Sequence, residues 1–146
     1  MEFFLDKDII FRSARRIVFE HKMPKKQFDL MEEILSGKHN VYVSNNTPFA
    51  VLNYIKYRAQ DEHGLNKSLE EADTITKSIY GKIFGKGKWF LVNLTWADYE
   101  NASKDKKHEW EDAVQYQCVI KTGKPFATDN IKDFENDAAI KLMMVR

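Results

Sequence analysis

Cysteine is all but missing from this chain: Cys118 stands alone among 146 residues, so no disulfide can form within it. Cys118 falls on the apolar stripe of a helical segment, which assigns it as a buried, unreactive thiol. Proline and glycine are scarce, at 3 and 6 residues, and no low-complexity tract, internal repeat or interdomain linker is present. Neither sign of charge is in excess. The 23 Lys and Arg against 22 Asp and Glu leave a formal +1, so a polyanion binder would have to gather its cations on one face. No run approaches the roughly 20 apolar residues of a membrane span. The opening MEFFLDKDIIF carries acids within its apolar stretch and lacks the basic start of a signal peptide. A cytoplasmic protein with no membrane partner is expected.

What is there is an ordinary globular composition, 43% hydrophobic and 31% charged. One domain over residues 1–146 is expected, burying about 68–70% of its unfolded surface. Strand and helix signals alternate. EFFLD, Glu2 to Asp6, is a short apolar run ending in an acid and reads as the first strand. Helical spacing through Ile10, Ala14, Ile17 and Val18 breaks at Met23-Pro24, and a second helix stops at Ser36-Gly37. HNVYVS is a second strand. In SNNTPFAVLNYIKYRA, Asn46 or Thr47 can cap a helix whose first turn suits Pro48. Leu69, Ala72, Ile75, Ile79 and Ile83 mark another helix. GKWFLVNL is a third strand; the helix holding EWEDAVQY then leads to PFAT and KLMMV, a fourth and a fifth. The alternation predicts an α/β fold: a central parallel sheet of about five strands with helices on both faces. In such sheets ligands sit beyond the carboxyl ends of the strands.

Three groups of acids bear on that edge: Asp6 and Asp8; Glu109, Glu111 and Asp112; Asp129 and Asp133. Glu109 and Asp112 are three apart and share a helical face, while Glu111 points elsewhere. Acids in a first turn also stabilise a helix by about 0.3–1 kcal/mol on their own. Two further acidic groups at strand ends make a hard-cation site the stronger reading, because Mg²⁺ and Mn²⁺ prefer oxygen ligands and keep several waters.

FFLDKDII, VYVSNNTPFAVLNYI, EWEDAVQYQCVI and ATDNIKDF together resemble PIN domains, the nuclease fold that includes VapC-type toxins of toxin–antitoxin pairs. The first is similar to the family's opening strand and its LDTD or LDTN. The second is similar to its strand followed by S-x-x-T and a helix. The last two resemble the D-F-E-D-A-x-Q and T-R-N-x-K-D-F segments of one subgroup. The four segments occur in the family's order over nearly the whole chain. The resemblance implies an RNA-cleaving enzyme in which Mg²⁺ or Mn²⁺ activates water at an acidic pocket. By position it implies Asp6, Asp112 and Glu109 as catalytic acids, and Asp6, Asp8, Glu109, Asp112, Asn130 and Asp133 around the metal. Expected partners are RNA, an antitoxin protein and a second copy of the chain.

Four positions depart from that pattern. Lys7 stands where a small hydroxyl residue is usual, Arg12 where the subgroup often has an acid, and Asp129 where it has arginine. Ala50 stands where many members have glutamate and the subgroup asparagine. The competing reading is therefore a catalytically degenerate PIN-like module that binds RNA or a partner protein. Asn46 or Asn53 supplying an amide near position 50 would favour the enzyme. A third reading, a haloacid-dehalogenase-like phosphatase, uses Asp6-x-Asp8, Ser44, Lys124 and Asp129-x-x-x-Asp133. GKGK (Gly85 to Lys88) precedes a strand and is a turn. The four histidines show no ligand spacing, with His108 expected in solvent, and the three tryptophans are expected in the core. Arg12, Arg15, Arg16, Lys22, Lys25 and Lys26 form a solvated basic stretch, or an RNA-backbone track in the functional reading.

Overall fold

The structure is a computed structural model that describes residues 1–145. Strands β1 (Glu2–Leu5), β2 (Asn40–Ser44), β3 (Lys88–Val92), β4 (Phe126–Thr128) and β5 (Leu142–Met144) pair in parallel, in the order β3-β2-β1-β4-β5. They alternate with helices α1 (Lys7–Phe19), α2 (Lys25–Leu35), α3 (Thr47–Gln60), α4 (Leu69–Ile83), α5 (Trp96–Ser103) and α6 (Trp110–Thr122). The expected α/β architecture is present, and α5 is an element the apolar spacing did not reveal. Its start is nonetheless written in the chain. The Thr95 side chain accepts from the Asp98 N–H while the Asp98 carboxylate accepts from Thr95, the same reciprocal box that Ser68 and Glu71 form at α4.

Side chains of a strand alternate between faces, and β1 divides the core accordingly. Phe3 and Leu5, with Val41, Val43 and Ala127, pack against Ile9, Ile10, Leu30, Ile34, Val51, Ile55 and Ile79 from the first four helices. Phe4 and Phe126 point the other way, onto Cys118 and Val119 of α6 and onto Phe134 and Ile140 of the following loop. The residues at the centre of both layers are buried, and among the described residues no helix is long and apolar enough to cross a membrane.

The chain lays down β1, β2 and β3 in one direction, then returns to the other side of β1 for β4 and β5. Strand order therefore reverses between β1 and β4, and a crevice opens beyond their carboxyl ends. Asp6 and Asp129 follow those two strands directly. The topology places them side by side.

Two glycines test whether backbone conformation sustains this frame. Gly87, in the turn before β3, has φ +81°, and a Cβ there would lie 2.4 Å from the Ile34 carbonyl oxygen. Gly81 lies within α4, where a Cβ would meet nothing within 4 Å. We expect Gly87→Ala to lower the thermal midpoint and Gly81→Ala to stabilise the fold by about 0.5–1 kcal/mol. Thermal melts of the first variant and denaturant melts of the second check the two signs.

Candidate functional site

The carboxyl edge is built around Asp6, 3% exposed although it carries a carboxylate. Its backbone N–H continues the β1–β4 pairing by donating to the Ala127 carbonyl at 3.0 Å. Its side chain then serves three elements. Oδ1 caps α1 by accepting from the Asp8 N–H at 3.0 Å and takes a longer bond from Gln115 Nε2 at 3.4 Å. Oδ2 accepts from the Thr128 hydroxyl at 2.7 Å. Burial, then the Asp8 charge, pushes the Asp6 carboxyl above its ordinary range, against the pull of the Thr128 and Asp8 hydrogen bonds.

Lys7 opens α1 with its backbone N–H bound to Gln115 Oε1 at 2.8 Å, which ties α1 to α6. Its ammonium lies 2.5 Å from Asp112 Oδ1 and 3.6 Å from Asp8 Oδ1. The side chain is only 12% exposed. Burial works to lower the Lys7 pKa, but the Asp112 hydrogen bond and the charges of Asp8, Asp112 and Asp6 outweigh it and hold it above the ordinary value.

Two cavities flank this lysine. The larger, about 430 Å³, is bordered by Lys7, Ser44, Asn46, Ala50, Tyr99 and Trp110 among others. The smaller, about 370 Å³, is lined by Lys7, Asp8, Glu109, Trp110, Glu111 and Asp112. Asp6 borders neither, being enclosed behind its donors. The sequence-predicted acids Asp8, Glu109 and Asp112 are thus brought together, with Glu109 at the N-cap position of α6. Asn130 and Asp133 border neither cavity and bond to each other at 2.9 Å. Ala50 is exposed in the larger cavity wall beside Asn46, while Asn53 lies outside that lining.

The charge departures at positions 12 and 129 resolve into one contact. Arg12 donates to Asp129 Oδ2 at 2.8 Å, and Gln27 Nε2 donates to the same oxygen at 3.0 Å.

As placed, these donors do not fit a resident Mg²⁺ or Mn²⁺. Both Asp6 oxygens are committed, Asp112 is paired with an ammonium, and Asp129 and Asp133 have partners of their own. Among the described residues no three His, Cys, Asp or Glu side chains gather to hold a metal ion. The Lys7 ammonium occupies the Asp112 oxygen that an ion would need, so a metal could bind there only by displacing it.

Sequence reasoning passed over two contributors, Gln115 and Thr128, and misjudged two it had named, Glu111 and Ser44. Gln115, the last residue of the E-D-A-V-Q segment, shares a helical face with Asp112 and could have been found by that spacing. Glu111 borders both cavities instead of pointing away. Thr128 gave no signal beyond ending β4, and Ser44 Oγ is buried at the larger cavity with no hydrogen-bond partner. Other expectations change. The His108 side chain is 3% exposed, bonded to Asp105 and packed against both Tyr116 and Phe134, which also contact each other. Trp96 is 89% exposed and Trp110 53%, so neither is core. Arg12 pairs with Asp129, while Arg15 lies over Tyr54 and the exposed Arg16 over Phe28. Lys124 pairs with Glu2 at the start of β1, the opposite end of the strands from the acids, which removes the phosphatase arrangement.

No protein-family model and no curated protein matches this chain. Solved structures do. VapBC2 from Rickettsia felis, bound to a DNA fragment from its promoter, superposes with a TM-score of 0.56 at 12% identity over 100% of both chains. A toxin–antitoxin complex from Klebsiella pneumoniae gives 0.50 at 13% identity over 94% of both chains. The fold is PIN-like. At these identities the likeness extends to the fold alone.

A carboxyl whose folded pKa lies above its unfolded value favours the folded state at low pH, and that contribution is lost as pH rises through the raised value. Asp6→Asn keeps an acceptor for the Asp8 N–H and removes the buried charge. In chelator we expect it to raise the thermal midpoint at neutral pH, with the gain shrinking as pH falls into the ordinary carboxylate range. Melts across that range check this; a variant less stable than the parent at neutral pH contradicts it.

Proposed function

We propose that the protein is the PIN-like component of a toxin–antitoxin pair, and that its acidic carboxyl-edge pocket receives a basic segment of a partner protein. The observation that carries this reading is the charge balance of the smaller cavity. Asp8, Glu109, Glu111 and Asp112 face a single ammonium, that of Lys7. A phosphodiester is repelled from such a mouth, whereas an arginine or lysine is drawn in and finds the exposed Trp110 face for a cation–π contact of about 0.5–1 kcal/mol. The fold neighbours are toxin–antitoxin assemblies, which supports a protein partner.

Anisotropy titrations in chelator test it, with an arginine-rich peptide and a single-stranded RNA of equal length as probes. The peptide should bind in a salt-sensitive way and the RNA should not. Glu109→Gln with Glu111→Gln should weaken the peptide about tenfold, or about 1.4 kcal/mol. Tight RNA binding in chelator without peptide binding overturns the reading.

Metal-dependent RNA cleavage is the second reading; it requires the ion to displace Lys7 from Asp112, and the convergence of Asp8, Glu109 and Asp112 in one cavity favours it. Ala50 is exposed near the start of α3, whose positive end tolerates an acid. On this reading Ala50→Glu raises Mn²⁺-dependent cleavage of single-stranded RNA, and adding Asp112→Asn abolishes the gain. A folded Ala50→Glu protein that leaves RNA intact in Mn²⁺ removes it.

A further inference from the structure

We propose that Lys7 is a built-in counter-ion: its ammonium holds the place between Asp8 and Asp112 that a divalent cation would need, and removing it turns the smaller cavity into a Mn²⁺ site. The inference rests on the two ion pairs and not on the partner-protein reading, and its experiment uses neither peptide nor RNA.

The geometry leaves Lys7 little freedom. Its backbone N–H is fixed to Gln115 Oε1 at 2.8 Å, so the start of α1 cannot drift away from α6. From that anchor the ammonium reaches Asp112 Oδ1 at 2.5 Å with Asp8 Oδ1 at 3.6 Å, and its side chain is largely shielded from solvent. The surrounding cavity of about 370 Å³ has Glu109 and Glu111 on its remaining walls. Without the lysine charge, Asp8 and Asp112 present two carboxylates to a cavity with room for water, and one or two carboxylates with several waters are enough to hold a hard divalent ion. With it, the strongest pairing that Asp112 can offer is already made. The ammonium offsets the charge of its two partners without coordinating solvent as a metal would.

The decisive comparison is Mn²⁺ binding by metal-free protein, read from the loss of the free-ion paramagnetic resonance signal and from the thermal midpoint. Wild type should leave the signal and the midpoint unchanged. Lys7→Met, which keeps the aliphatic stem, should be less stable than wild type without metal. It should bind Mn²⁺ at least tenfold more tightly and recover stability as the ion is added. Lys7→Arg should behave as wild type, and Lys7→Met with Asp112→Asn should lose the gain. Lys7→Gln, which can still donate to Asp112, replaces the Met variant should that one fail to fold. Saturable Mn²⁺ binding by wild type as tight as that of the neutral variants overturns the proposal, as does a folded neutral variant that gains no affinity. A lysine that mattered only for packing would show the loss of stability without the Mn²⁺ rescue.

Discussion

A single carboxylate withdrawn from water organises the end of this sheet. Leaving a charge buried and unpaired costs several kcal/mol, so Asp6 can sit at 3% exposure only if donors converge on it. They come from β4 through Thr128, from α1 through the Asp8 N–H, and from α6 through Gln115. Elements distant in sequence are thereby drawn to one point. Gln115 also accepts the Lys7 N–H, so the residue that stabilises Asp6 also orients its neighbour. The position of the pocket and the direction in which Lys7 points share one cause.

That arrangement sets what the edge can recognise. Acids gathered at a strand switch point are suited to a hard cation, but Lys7 supplies the positive charge from within the chain. Nearby, Arg12 and Gln27 bind Asp129, so a second acid at the edge is consumed by structure. The carboxylates left open to solvent lie at the rim, around an exposed tryptophan. An acidic, aromatic rim over a floor whose acids are paired with Lys7 selects for positively charged side chains. Electrostatics of this kind governs approach and partner choice more than affinity.

The sequence by itself determined the α/β class, the five strands and the edge at which the acids collect. Those properties follow from short-range physics: apolar period, caps, and the rule that parallel strands present their carboxyl ends to ligands. Even α5 carried its signature in Thr95 and Asp98, although its apolar spacing was too sparse to announce it. What each acid does there was decided only by tertiary structure. The acids look alike in sequence, yet Asp6 is a buried hydrogen-bond hub, Asp112 an ion-pair partner, Asp133 a loop brace and Glu109 a rim charge. Trp96 and His108 exchange their expected places for the same reason: exposure depends on what packs opposite, and no local pattern encodes that. Lys7 is the clearest case. Its neighbours in sequence are Asp6 and Asp8, but its charge is claimed by Asp112, 105 residues away, and only the fold brings the two together.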